Sequence, residues 1–142
     1  VLHYVVNLDQ AINSTLDIVG TNTAILVVNA VNSDGAILED IYSIARKDSG
    51  SGETINLYLS QGADYLRPNE GVLVGRFTGG TSIGSVTRWA DMPRTLTPAP
   101  QVGTDPQNRA LYIPKGYALW AARQSSANLT DGPLLGCQGG WY

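Results

Sequence analysis

Cysteine, histidine, methionine and phenylalanine each occur once in this chain of 142 residues. A single cysteine, Cys137, excludes an internal disulfide, and with a single histidine, His3, it cannot complete a zinc site. Cys137 stands in Leu134-Leu135-Gly136-Cys137-Gln138-Gly139-Gly140. No base or cation is near it there, so it reads as a small buried apolar residue and not as a reactive thiol. A Ser-His-Asp triad would have to be built on His3, and nothing in the sequence places a nucleophile beside it. A Cys137–His3 dyad is the one formal alternative.

Charge is scarce as well. Asp, Glu, Lys and Arg supply 15% of the residues, against about 25% in an ordinary globular domain. The nine lysines and arginines are scattered and the net charge is −3. The clustered cations that release counterions from nucleic acid are therefore missing. Apolar runs such as Ala24 to Val28 are far short of the ~20 residues that span a bilayer. Val1 to Gln10 lacks a basic leader and reads as a first strand. The P-loop, zinc-protease and nucleophile-elbow motifs are absent. Gly75-Arg76-Phe77-Thr78-Gly79-Gly80 falls between two strand-like segments with no helix after it, which removes the dinucleotide reading. Acidic residues stand mostly in or beside turns, with no spacing that argues for a pair across a cleft. Asn32-Ser33-Asp34-Gly35 reads as an Asx-type turn and lacks the calcium-loop pattern. No catalytic residue, metal or cofactor is expected.

What the chain does have is β-strand material. Its polar share comes from Gly, Ser, Thr, Asn and Gln, which suit strands and turns better than solvated helices. Leu2 to Leu8, Gln10 to Val19 and Thr23 to Val31 are strand-like, the last as a central strand covered on both faces. Residues 36–47 are ambiguous. Ile37, Ile41, Ile44 and Ala45 fall at helical spacing, yet Ile41, Tyr42 and Ile44 favour a strand. The simplest reading pairs this run with Thr54 to Ser60 as a hairpin across a Gly/Ser loop. Val72 to Thr78 and Ser82 to Trp89 suggest a second hairpin about Gly79-Gly80. Ala110 to Ile113 and Tyr117 to Arg123 flank a Pro114-Lys115-Gly116 turn. Residues 92–108 hold four prolines and read as an extended excursion. The whole predicts one all-β domain over 1–142: a two-sheet β-sandwich, jelly-roll-like, with the Pro-rich segment outside its ladders.

Three tryptophans and seven tyrosines are considerable for so few charges. Strand edges and apolar rims with little charge invite association. Trp120, between Ala118-Leu119 and Ala121-Ala122, is either a core residue or an aromatic anchor for a partner. Pro98, Pro100, Trp120, Trp141 and Tyr142 are the candidate interface residues. The expected partners are other protein chains, including copies of itself in a homo-oligomer, with a trimer favoured. Nucleic acid and membrane are not expected.

The late run from Met92-Pro93-Arg94-Thr95-Leu96-Thr97-Pro98 through "ALYIPKGYALWAARQ" to "GCQGGWY" resembles small structural proteins of tailed bacteriophages, particularly cyanophage-like ones. The upstream "TNTAILVVNAVN" and "ETINLYLSQG" look like the earlier strands of such sandwiches. The likeness covers residues 20–142 in style and order. It implies a non-enzymatic capsid cement or decoration protein located in the virion, with a head–tail or tail component next, and it carries over no catalytic residue. The alternative read from the residues is a carbohydrate-binding sandwich, lectin-like or a receptor-binding tip, using Trp or Tyr as stacking platforms.

Overall fold

The computed structural model describes residues 2–8, 24–61, 71–92, 109–124 and 131–141. The strand expected at 10–19 and the Pro-rich segment from 93 to 108 lie outside these residues.

Alternation of apolar and polar residues favours strands, and nine form among the described residues. They are β1 (Leu2–Asn7), β2 (Ile25–Asn29), β3 (Gly35–Ile44), β4 (Thr54–Gln61), β5 (Val72–Thr78), β6 (Val86–Arg88), β7 (Leu111–Pro114), β8 (Tyr117–Arg123) and β9 (Leu134–Trp141). No helix occurs among the described residues. One sheet runs β1-β9-β3-β6, with β7 on the same edge of β3 as β6; the other runs β2-β8-β4-β5. All pairings are antiparallel. The chain is thus the β-sandwich that its composition predicts.

The core lies between the sheets. Leu2, Leu38, Ile41, Ile113, Leu135 and Cys137 from the first sheet meet Val28, Ile55, Leu57, Leu119 and Ala121 from the second. Burying such side chains is the main favourable term in the fold. Trp89 caps one side of this core. It stacks on Phe77, with centroids 6.5 Å apart and planes 16° from parallel. It also lies directly on Gly75, where a Cβ would come within 2.1 Å of the indole.

Residues 35–44 are a strand, and their helix-like spacing has a structural cause. The pairing of β3 with β9 slips between Leu38 and Asp40. A bulge of this kind inserts one residue and resets the alternation. Leu38 and Ile41, three apart, therefore both face the core.

Three local expectations are corrected. β3 and β4 do not form a hairpin: they belong to different sheets, and the loop between them crosses the end of the sandwich. The same holds for β5 and β6 about Gly79-Gly80. The Pro114-Lys115-Gly116 turn also joins strands of different sheets, β7 and β8. Among the described strands, β4 and β5 are the one pair of sequence neighbours joined in a ladder. Among the described strands β2 lies at the edge of its sheet and not at its centre. β8 is buried on both faces, with Leu119 and Ala121 in the main core and Ala118, Trp120 and Ala122 in a second cluster with Tyr58 and Ala24.

The Pro114-Lys115-Gly116 turn docks on the turn after β2. Gly116 donates its N–H to the Ala30 carbonyl at 3.2 Å, and Ala30 donates to the Tyr117 carbonyl at 3.0 Å. Gly116 has φ +85°, a conformation that a Cβ disfavours.

Candidate functional site

Of the five candidate interface residues, the structure describes two, and it separates them. Pro98, Pro100 and Tyr142 lie outside the described residues. Trp120 is 5% exposed. It sits in the second cluster, and its indole N–H donates to Ser60 Oγ at 2.9 Å. It therefore offers little surface to any partner. Trp141, at the end of β9, is 39% exposed.

Trp141 stands at a gap in the side-chain cover of the sheet. Register places Ile37 on β3 between Tyr112 on β7 and Gly140 on β9. Tyr112 is 50% exposed. An open hollow of about 250 Å³ is lined by Ile37, Glu39, Gly139, Gly140 and Trp141. A second, of about 260 Å³, lies on the other side of Trp141 against Asn29, Asn32 and Ser33. The two glycines differ in kind. A Cβ on Gly139 would sit 1.8 Å from the Ile37 carbonyl oxygen, so the close approach at the β3 bulge demands glycine. A Cβ on Gly140 would meet nothing within 4 Å, and its φ is ordinary. Gly140 leaves open a surface that a side chain would fill.

The Asn32-Ser33-Asp34-Gly35 segment is a turn, as its residues predict. Asn29 Oδ1 accepts from the Val31 N–H at 3.0 Å, and Ser33 Oγ accepts from the Gly35 N–H at 3.2 Å. Asp34 faces Lys115 at 3.4 Å across the two docked turns, with both side chains exposed, an arrangement worth little to stability. The turn fixes the backbone beside Trp141 and leaves the amide and hydroxyl groups of one hollow on a defined frame.

His3 and Cys137 are on opposite faces of the first sheet and cannot form a dyad. Cys137 is buried in the core, where desolvation pushes its thiol up to about 11, against a smaller opposing effect of a backbone hydrogen bond at Tyr4. His3 is outside, its Nε2 3.2 Å from the Tyr42 hydroxyl. Tyr42 reaches it by lying over Gly136, where a Cβ would enter the ring. Arg88 sits 5.8 Å from the centre of the same ring and pairs with Asp40. These four side chains form an exposed polar row that no sequence spacing announced, because the residues meet only through the β1-β9-β3-β6 order.

Arg123 was also missed. It ends a strand of apolar residues, yet it is fully buried. Its Nε donates to the Leu8 carbonyl at 2.8 Å, and Nη1 lies 3.3 Å from Glu53 Oε2. On the outer face of the second sheet burial raises the pKa of Tyr58, with Asn56 and Arg76 opposing. Among the described residues no group of three or more His, Cys, Asp or Glu side chains converges to hold a metal. No described helix is long and apolar enough to cross a membrane.

No protein-family model matches the chain, and neither a curated protein nor a solved structure matches it.

Proposed function

We propose that the chain is a non-enzymatic structural protein of a tailed-bacteriophage virion, of the capsid cement or decoration type. It works by holding protein surfaces together. The observation that carries this reading is the open apolar patch of Tyr112 and Ile37 on the outer face of the first sheet, beside the bare backbone of Gly140, with Trp141 exposed at the adjoining end of β9. Aromatic residues on a rigid frame are the usual anchors of protein contacts. A jelly-roll-like sandwich supplies the frame, and the sequence resemblance supplies the virion setting. Contacts of modest area, repeated by the symmetry of a capsid and linked within an oligomer, gain strength through avidity. The chain would act as a homo-oligomer, a trimer in the favoured form.

The test is sedimentation of the purified protein with intact particles of the phage that encodes it. Saturable binding at a copy number set by the capsid lattice supports the reading. No co-sedimentation at micromolar concentration overturns it.

A second reading is favoured by one specific observation. Asn29, Asn32 and Ser33 line the hollow on one side of Trp141, and Glu39 stands on the other. An indole flanked by amide, hydroxyl and carboxylate groups is the chemistry that holds a sugar ring. Saturable binding on a glycan array, lost in Trp141→Ala, would move the assignment to a carbohydrate-binding module.

A further inference from the structure

The end of the sandwich away from Trp141 holds a narrower cleft. Here the end of β3 meets Glu53 before β4, the Gly79-Gly80 link and residues 131–133. Ser43 lines it from β3. Ser43 is fully buried, and its hydroxyl has no hydrogen-bond partner, the one such buried side-chain atom among the described residues. A buried hydroxyl without a partner is unfavourable, so its surroundings call for a polar guest.

The size and charge of the cleft say which guest. Its volume is about 20 Å³, above the roughly 10–15 Å³ that one water requires and far too small for a polyatomic ion. The charged side chains around it are held by protein groups. Lys47 lies 3.6 Å from Asp131, Glu53 lies 3.3 Å from Arg123, and Arg46 donates to the Gly132 carbonyl. An ion placed there would have to draw one of these side chains from its protein partner, whereas a water need not. Gly79 makes the room: a Cβ at that position would stand 2.8 Å from Ser43 Oγ.

We infer that this cleft binds a single ordered water molecule, hydrogen-bonded to Ser43 Oγ, which ties the end of β3 in one sheet to the Gly79-Gly80 link with the other. Such a water is part of the fold and not of the solvent. It joins the sheets where no ladder does, at the end opposite the proposed contact rim. The inference does not depend on the proposed function.

The test is a high-resolution crystal structure of the full chain grown in sodium bromide, paired with water-oxygen magnetic relaxation in solution. The expected result is a peak within hydrogen-bond distance of Ser43 Oγ, without bromide anomalous signal. In solution Gly79→Ala should have one long-lived water fewer than the wild type. A bromide peak at the site, an empty cleft, or a Ser43 hydroxyl turned onto a protein carbonyl would each overturn the inference. So would equal water counts in a folded Gly79→Ala variant. The Ser43→Ala/Gly79→Ala double variant guards against steric loss of Gly79→Ala: it fills the cleft without a hydroxyl to crowd, so it should fold and also lack the water. Retention of that water in the double variant would contradict the inference as well.

Discussion

Glycine carries different duties at adjacent positions, and the difference is measurable. Gly139 is pressed against the backbone of β3, whereas Gly140 faces open space. Gly139→Ala must displace backbone and should lower stability by at least about 2 kcal/mol, in the range of overpacked sites. Gly140→Ala should change it by no more than about 0.5 kcal/mol. Urea denaturation of the two variants checks both. The pair could not be told apart in "GCQGGWY", because the distinction comes from a bulge in a strand nearly a hundred positions earlier.

Cys137 was legible as a buried thiol, and its environment makes a pH signature. Its pKa is pushed up to about 11 from an ordinary 9.0, chiefly by burial. Below pH 9 the thiol is protonated in both folded and unfolded chains, and the preference for the neutral form contributes fully. Between pH 9 and about 11 the unfolded chain releases its proton while the folded one keeps it, so stability falls as pH rises. The loss attributable to this group approaches about 3 kcal/mol at the upper limit. Cys137→Ala removes the group and with it this part of the slope. The difference between the two stability–pH curves over that window isolates it.

At the scale of elements, turn chemistry in the sequence identifies where strands stop but not where they go next. The loop around Asp48-Ser49-Gly50, the Gly79-Gly80 link and the Pro114-Lys115-Gly116 turn each separate two strands as expected. The loops that follow β3, β5 and β7 then cross between sheets. A hairpin and a crossing use the same residues; the choice rests on which face of the following strand must be buried, and that is a long-range property. The bulge in β3 misled in the same manner, since one inserted residue turns a spacing of two into three. β8 is apolar on both parities in the sequence, but its central place in the sheet needed the pairings to Leu26 and Tyr58 on either side of Trp120. The Gly116 turn is the one crossing where a single substitution gives a clear test. Gly116 has φ +85° and no atom near its Cβ position, so Gly116→Ala carries backbone strain without a clash. It should cost about 1 kcal/mol and leave the far end of the sandwich unchanged, as amide exchange would show.

For the whole molecule, the class of fold was readable because few charges, many small polar residues and short alternating runs leave no other architecture. The candidate surface was readable in part. Trp141 was found from its place in an aromatic ending, while Tyr112, Ile37 and Gly140 join it only through sheet order. Trp120, equally prominent in the sequence, is buried, because the alanines on either side let it settle against Tyr58 and Ala24. The account as a whole therefore rests on one end of one sheet being the surface that meets other chains.

The most direct measurement compares particle binding by the wild type and by Gly140→Gln, which fills the hollow from a position where the fold has room. The account predicts unchanged thermal stability and at least a tenfold loss of affinity for particles, matched by Trp141→Ser. Undiminished binding by both variants would contradict it.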